Sequence, residues 1–292
     1  MSRTSTSKER SDILETVFLH SSENAGGRDL RPVRSFVQSY FPTIRISLAP
    51  APIRSAPAGQ RPGLARVIAA SRVKDPAQRE QSFEPMYGEE EYELRVIEAE
   101  SKAGGIVYDG GKLVHSLQGL IGISDLRTAH IILTDRLVST YSDEDLRHHL
   151  RTLVAGFPSI ISIPGIVEAP AKPRAYYLQK QTLEMMGASQ LELERLKRDF
   201  RGRFIDHGDA AVNEVIKGLV LQAMMYHLTL DPFCDDKHCR LYNAHWQEDL
   251  IASQLNRRNG LCDRHRAQIQ ILGQNPTVRW LQNSDRQSPA AG

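Results

Sequence analysis

Cysteine is scarce in this sequence, and the scarcity is informative. Only 3 of its 292 residues are cysteine, and none precedes Cys234. No closed set of disulfides can form from three thiols, so a reducing, cytoplasmic setting is expected. An excess of charge of either sign is also missing: 37 Lys and Arg against 35 Asp and Glu leave a formal net charge of +2. With no block of like charge in either half, nothing in the balance calls for a polyanion or an anionic membrane as partner. Long apolar runs are absent too. The best stretch, "VIKGLVLQAMMYHL" (215–228), is interrupted by Lys217, Gln222 and His227 and is too short to span a bilayer. The N-terminal "MSRTSTSKERSD" lacks the apolar core of a secretory signal.

What is present is enough apolar material for a sizeable core, with 40% hydrophobic and 25% charged residues. Polar composition marks 1–12 and 283–292 as expected disordered ends, leaving 13–282 as one expected domain. Two stretches read as loops, 49–63 (rich in Pro and Ala) and 74–93. "ILETVFLH" (13–20) and "TIRISLA" (43–49) read as strands around a helix at 29–41, with another helix at 63–73. Residues 92–100 and 105–115 read as extended, the latter with a Gly-Gly turn. "AHIILTDRLVSTY" (129–141) is the most strand-like segment, and "SIISIPGIV" (159–167) is a further strand. Ser142 with Asp145 three residues on predicts a helix over 142–154, which puts the paired histidines of "RHHLR" on a surface. After Pro173 three helices are expected, at about 174–186, 189–200 and 209–229. Strands first and helices afterwards give a mixed α/β (α+β) domain.

The chemistry gathers near the C-terminus, in "CDDKHCRLYNAHW" (234–246) and "LCDRHR" (261–266). Cys234 and Cys239 form a C-x4-C pair, and Cys262 and His265 a C-x2-H pair twenty-two residues later. Two short-spaced pairs joined by a loop are what a tetrahedral zinc requires, and three cysteines with one histidine make a closed, structural ligand set. Random placement would bring three cysteines this close only roughly three times in a hundred. His238 and His245 are alternative fourth ligands without the paired spacing. Three thiolates and an imidazole leave no open position for a substrate, so one structural zinc per chain is expected. Trp246 reads as a core plug over the zinc loop.

The layout resembles that of the archaemetzincins, a family of zinc metallopeptidases in which a helix carrying H-E-x-x-H-x-x-G-x-x-H precedes C-x4-C, a Met-containing turn and C-x2-C. Aligned on Cys234 and Cys239, "CRLYNA" (239–244) falls on the Met-turn and "CDRH" (262–265) on the second pair, with His265 in place of a cysteine. The box "CRLYNAHWQEDL" (239–250) is similar to the hallmark of a prokaryotic family described as metallopeptidases. "HIILTDRL" (130–137) resembles the strand before the helix, which extends the likeness over about 129–270. The resemblance implies a zincin-like domain with a mixed sheet, a helical C-terminal half and a zinc-stapled loop (234–265).

The catalytic positions depart from the pattern. "AMMYHLTLDPF" (223–233) lies on the zincin helix, so the histidine positions read Ala223, His227 and Phe233, and the glutamate position reads Met224. No His-Glu dipeptide occurs anywhere in the sequence. One imidazole without a neighbouring carboxylate does not activate water on zinc. The expectation is a zinc-binding member of a metallopeptidase family that has lost peptidase activity and binds an unidentified protein or peptide. The enzyme alternative would use His227, His245 and Glu248, with His207 and Asp209 nearby. A nucleic-acid-binding zinc module on the arginine-rich 256–268 is the third reading, weakened by the lack of aromatics there and by Asp263.

Overall fold

The computed structural model describes residues 13–23, 28–98, 103–123, 125–256 and 260–278. The terminal stretches expected to be disordered lie outside them. The chain opens with β1 (Thr16–His20), α1 (Arg31–Tyr40), β2 (Arg45–Ala49), a one-turn α2 (Pro52–Ser55) and α3 (Arg61–Ala69); all but α2, which falls in the expected loop 49–63, lie broadly where the sequence places them. Pro32 sits in the first turn of α1, where its missing N–H costs nothing.

Several expectations fail in the next hundred residues, beginning with the loop expected over 74–93, which is helical from Tyr87 onward. The segment expected to be extended at 92–100 is instead the end of α4 (Tyr87–Ile97), whose Glu93, Val96 and Ile97 share a buried face and whose Glu89 carboxylate accepts from the Met86 N–H at 2.9 Å. The Gly-Gly pair is no turn. After β3 (Val107–Asp109) it opens α5 (Gly110–Ile121), because the Asp109 carboxylate accepts the Lys112 N–H at 3.1 Å and caps a helix there. The strand over 129–141 is two strands, β4 (Thr128–Thr134) and β5 (Leu137–Ser142), bent apart at Asp135–Arg136 and placed in different sheets. The helix expected over 142–154 is a tight turn followed by β6 (Arg147–Arg151) and β7 (Leu153–Val154). Leu146 at φ 53° stops any helix at that point, and β6 pairs antiparallel with β5 through Tyr141↔His148.

The chain continues through β8 (Ser159–Ser162) into a short α6 (Ile163–Glu168), where a strand to 167 was expected. Ser162 Oγ caps α6 by accepting the Gly165 N–H at 3.0 Å. A Cβ at Gly165 would lie 2.2 Å from the Arg151 carbonyl oxygen, so a side chain there would displace β6. Then come α7 (Arg174–Met185), α8 (Gln190–Asp199), α9 (Ala211–Thr229), α10 (Gln247–Leu255) and α11 (Asp263–Gln274).

The main sheet has the order β2-β1-β4-β8-β7, parallel throughout except for the antiparallel edge strand β7. A second sheet orders β3-β5-β6. Strand alternation divides the core. Ala129, Ile131 and Leu133 of β4 join the larger cluster with α1, α9 and the cysteine loop, while Ile132 joins α3, α4 and α5 on the other side. Helix α9 is buried almost all round, from Val212 to Leu228. The longest apolar run in the sequence is therefore the central helix of the protein's own core. Among the described residues no helix is long and apolar enough to cross a membrane.

Between the sheets lies a fully buried ionic group. Arg136, with no exposed side-chain surface, donates to Glu93 at 2.8 Å and stands 3.6 Å from Glu23. Arg72 and the Tyr108 hydroxyl also reach Glu93, at 2.6 and 2.8 Å. Nothing in the sequence pairs these residues, which are separated by forty or more positions in the case of Arg136 and Glu93.

Candidate metal centre

Helix α9 ends at Leu230, which adopts a left-handed conformation (φ 58°) and returns its N–H to Tyr226. The chain then reverses into a closed loop. Cys234 N–H donates to Leu241 O at 2.9 Å, Cys239 N–H to Asp236 O at 2.9 Å, and Tyr242 N–H to Cys239 O at 2.9 Å. These bonds turn Cys234 and Cys239 to the same side. The second pair arrives from elsewhere: Arg240 N–H donates to Gly260 O at 2.8 Å, which fastens the approach to α11 against the loop. Cys262 is the N-cap of α11 and His265 lies in its first turn.

The four side chains converge. Cys234, Cys239, Cys262 and His265 present ligand atoms that all lie within 4.8 Å of one another. Cys234 Sγ is 3.8 Å from Cys262 Sγ, Cys239 Sγ is 3.8 Å from His265 Nδ1, and Cys262 Sγ is 3.2 Å from His265 Nδ1. A tetrahedral zinc with ordinary bond lengths sets S···S at about 3.8 Å and S···N at about 3.6 Å. The spacing fits the ion.

The donor chemistry fits as well. Cys234, Cys239 and His265 are buried and Cys262 is half-buried. Burial pushes the Cys239 thiol up to about 12, with main-chain bonds from Cys262 and Leu241 acting in the opposite direction. A cation held there would take the proton's place on sulfur, the proton leaving to solvent, so binding would shift the thiol to thiolate. Burial, and then the Arg264 guanidinium, hold the His265 imidazole below its usual range, with Asp231 opposing. The neutral ring is the form that coordinates. An amide N–H, from Asp236, also reaches Cys234 Sγ at 3.4 Å. His238 and His245, the alternative fourth ligands, are both exposed and outside the cluster.

The candidate catalytic residues are not brought together in this way. His227 is buried near the end of α9, and its Nε2 is 2.8 Å from Leu126 O, a distance at which that nitrogen donates. The Phe157 ring packs edge-on against it. Burial lowers the His227 pKa. The residues beside it along α9, Ala223 and Met224, are buried and apolar. His245 and Glu248 lie at the start of α10, both exposed, and Glu248 is held by Arg203 at 2.8 Å. His207 pairs with Glu168 at 2.9 Å. Trp246 is no core plug: it is 47% exposed, because the main chain on either side of it is bonded to Ala171, which fixes the backbone and leaves the indole outside. Among the described residues no second cluster of three or more metal-ligating side chains occurs.

Two features carried no sequence signal. In "RHHLR", expected on a surface, His148 is buried and bonded to Ser139 Oγ at 3.2 Å, while His149 pairs with Asp145 at 2.7 Å. His20 on β1 and His130 on β4 stack and meet at 2.9 Å between Nε2 and Nδ1. Because His20 Nδ1 donates to Pro50 O at 3.0 Å, its Nε2 must accept, which fixes the proton on His130 Nδ1.

The sequence profile described as "Probable metallopeptidase family (DUF6775)" matches residues 14–272, which takes in both sheets and all four ligands. The chain belongs to that family. No curated protein matches it. Among solved structures, the archaemetzincin from Methanopyrus kandleri is similar to this chain at 11% identity, over 88% of this chain and 94% of that one, with a TM-score of 0.43. The family membership and the resemblance carried by the cysteine boxes point to the same class of protein.

Proposed function

We propose that this member of the metallopeptidase family holds one structural zinc through Cys234, Cys239, Cys262 and His265, has lost peptidase activity, and acts as a binding scaffold for a protein or peptide. The observation that carries the reading is the contrast between the two regions. The cysteine loop offers a complete, closed donor set at zinc spacing. At the end of α9, where a catalytic ion would sit, His227 is the one imidazole the helix supplies, buried and bonded to a carbonyl, with Ala223 and Met224 at the neighbouring ligand positions. A zinc in the first region would fix the loop after α9 against α11. Its coordination shell is filled by protein, so it polarises no substrate. Three reduced thiols serving as ligands accord with a cytoplasmic location.

Elemental analysis of the purified chain, beside a peptide-hydrolysis assay, tests this reading. One zinc per chain, retained in His227→Ala, and hydrolysis at background are expected. Two zincs, one of them lost in His227→Ala together with measurable hydrolysis, would overturn it.

A further inference from the structure

The three sulfurs of the donor set are not equivalent. Cys239 has no exposed surface and Cys234 is 6% exposed. Cys262 is half-buried, so it is the one of the three that solvent reaches. A second thiol stands beside it: Cys234 Sγ lies 3.8 Å from Cys262 Sγ, although the two residues are 28 positions apart. A disulfide bond is about 2 Å long, so a movement of about 1 Å by each sulfur brings the pair to bonding distance. The other two donors, Cys239 and His265, hold a single sulfur between them.

The position of this pair in the fold adds a second point. Cys234 belongs to the loop after α9, and Cys262 is the N-cap of α11. Those are the two segments that a zinc in the donor set would join. A bond between Cys234 and Cys262 would join the same two segments covalently. Oxidation would therefore exchange one staple for another at the same place.

We infer that Cys262 and Cys234 are a redox pair, which hydrogen peroxide oxidises to a disulfide that expels the zinc while keeping α11 tied to the loop after α9. The inference rests on the zinc reading above. In the first step the Cys262 thiolate attacks one peroxide oxygen. The S–O bond forms, the O–O bond breaks, sulfur is oxidised to the sulfenic acid, and the hydroxide that leaves takes a proton from solvent. The Cys234 thiolate then attacks the Cys262 sulfur. The S–S bond forms, the S–O bond breaks, and a second hydroxide leaves and is protonated. In sum, two thiolates, one peroxide and two protons give one disulfide and two waters. Cys239 and His265 are then half of a tetrahedral set and do not retain the ion. Thiol exchange in a reducing compartment restores the pair, so the modification is transient there.

The test titrates the full, reduced chain with hydrogen peroxide after its zinc content has been measured. A chromophoric chelator reads zinc release against an untreated control, peptide mapping by mass spectrometry reads the bonds, and circular dichroism on heating reads the fold. One zinc released per Cys234–Cys262 disulfide is expected, with rebinding after phosphine reduction and added zinc. The oxidised, zinc-free chain should melt above the reduced chain stripped of zinc, because only the former keeps a staple. A chain without zinc at the start overturns the zinc reading and this inference with it. Four results overturn the inference alone: zinc retained under excess peroxide, a disulfide that maps to Cys239 or links two chains, sulfinic acid at Cys262 with Cys234 still reduced, and an oxidised chain that melts no higher than the stripped one.

Discussion

Cys262 Sγ lies 3.2 Å from His265 Nδ1, across the first turn of α11. That contact joins the two halves of the donor set, because Cys262 also stands 3.8 Å from Cys234, and His265 stands 3.8 Å from Cys239. Removing any one ligand therefore leaves three buried or half-buried groups without a common partner.

Cys239→Ser is expected to lose the zinc and the cooperative folding of the C-terminal third. Apparent structural-zinc binding energies, on the order of 10 kcal/mol or more, are folding energy in such sites. Thermal unfolding and metal content measured together check this. A variant with wild-type melting behaviour would remove the metal site from the account of stability.

His265→Cys is expected to keep one metal per chain, since a fourth thiolate completes an all-cysteine set, whereas His265→Ala is not. Cobalt substitution gives the readout, because sulfur-to-cobalt charge-transfer intensity reports the number of thiolates. Three in the wild type and four in His265→Cys are expected. Equal intensity in the two proteins would place His265 outside the shell.

The pair of buried His20 and half-buried His130 makes stability depend on pH. Burial, with His20 and His227 nearby, pushes His130 down to about 4, from an unperturbed value of 6.5. The native ring stays neutral where the unfolded chain already binds a proton, so stability is fully present above about pH 6.5 and falls as pH drops toward 4. Because the His130 ring is only half-buried and solvent screens its charge, the loss when complete is discounted to on the order of 1–2 kcal/mol. Urea unfolding of the wild type and His130→Asn between pH 7.5 and about 4.5 should show a steeper acid decline in the wild type. Parallel curves would refute the assignment to His130.

Glu93→Gln strips Arg136 of its closest counter-charge in a fully buried setting. A cost of about 3–5 kcal/mol is expected, because the guanidinium cannot be rehydrated. The double variant Glu93→Gln, Arg136→Met should recover part of it. Equilibrium denaturation separates the outcomes: a single variant within about 1 kcal/mol of the wild type would show that Glu23 alone compensates the charge.

Gly273→Ala probes how α11 is held from its far end. A Cβ there would meet the Tyr40 carbonyl oxygen at 2.2 Å, so α11 must shift away from the end of α1. About 1–3 kcal/mol of destabilisation is expected. Zinc content should be unchanged, because the ligands lie at the opposite end of the helix. Loss of zinc in this variant would mean that the first turn of α11 does not hold its place unaided.

Much of the helical second half was legible because local signals mark it: Pro173 just before α7, and the long, mostly apolar stretch that forms α9. The strands and helices between residues 87 and 167 were misread for a physical reason. There the decisive terms are short caps and sheet pairing. Asp109 and Ser162 each start a helix directly at the end of a strand, and the 142–154 segment joins β5 because β5 is there to receive it. A periodicity read along one segment does not contain its partner strand.

By itself the sequence determined the candidate donors, since thiolate and imidazole at short paired spacings have one economical use, and it determined the absence of a His-Glu motif on the helix before them. Only the tertiary structure decided which histidine completes the set, that Trp246 faces outward, that His227 is spent on a carbonyl, and that Arg136 and Glu93 meet. Each of those depends on groups far apart in the chain whose encounter is set by how helices and sheets pack. Spacing along a backbone fixes what a single turn can present. What it is presented to is a property of the folded core.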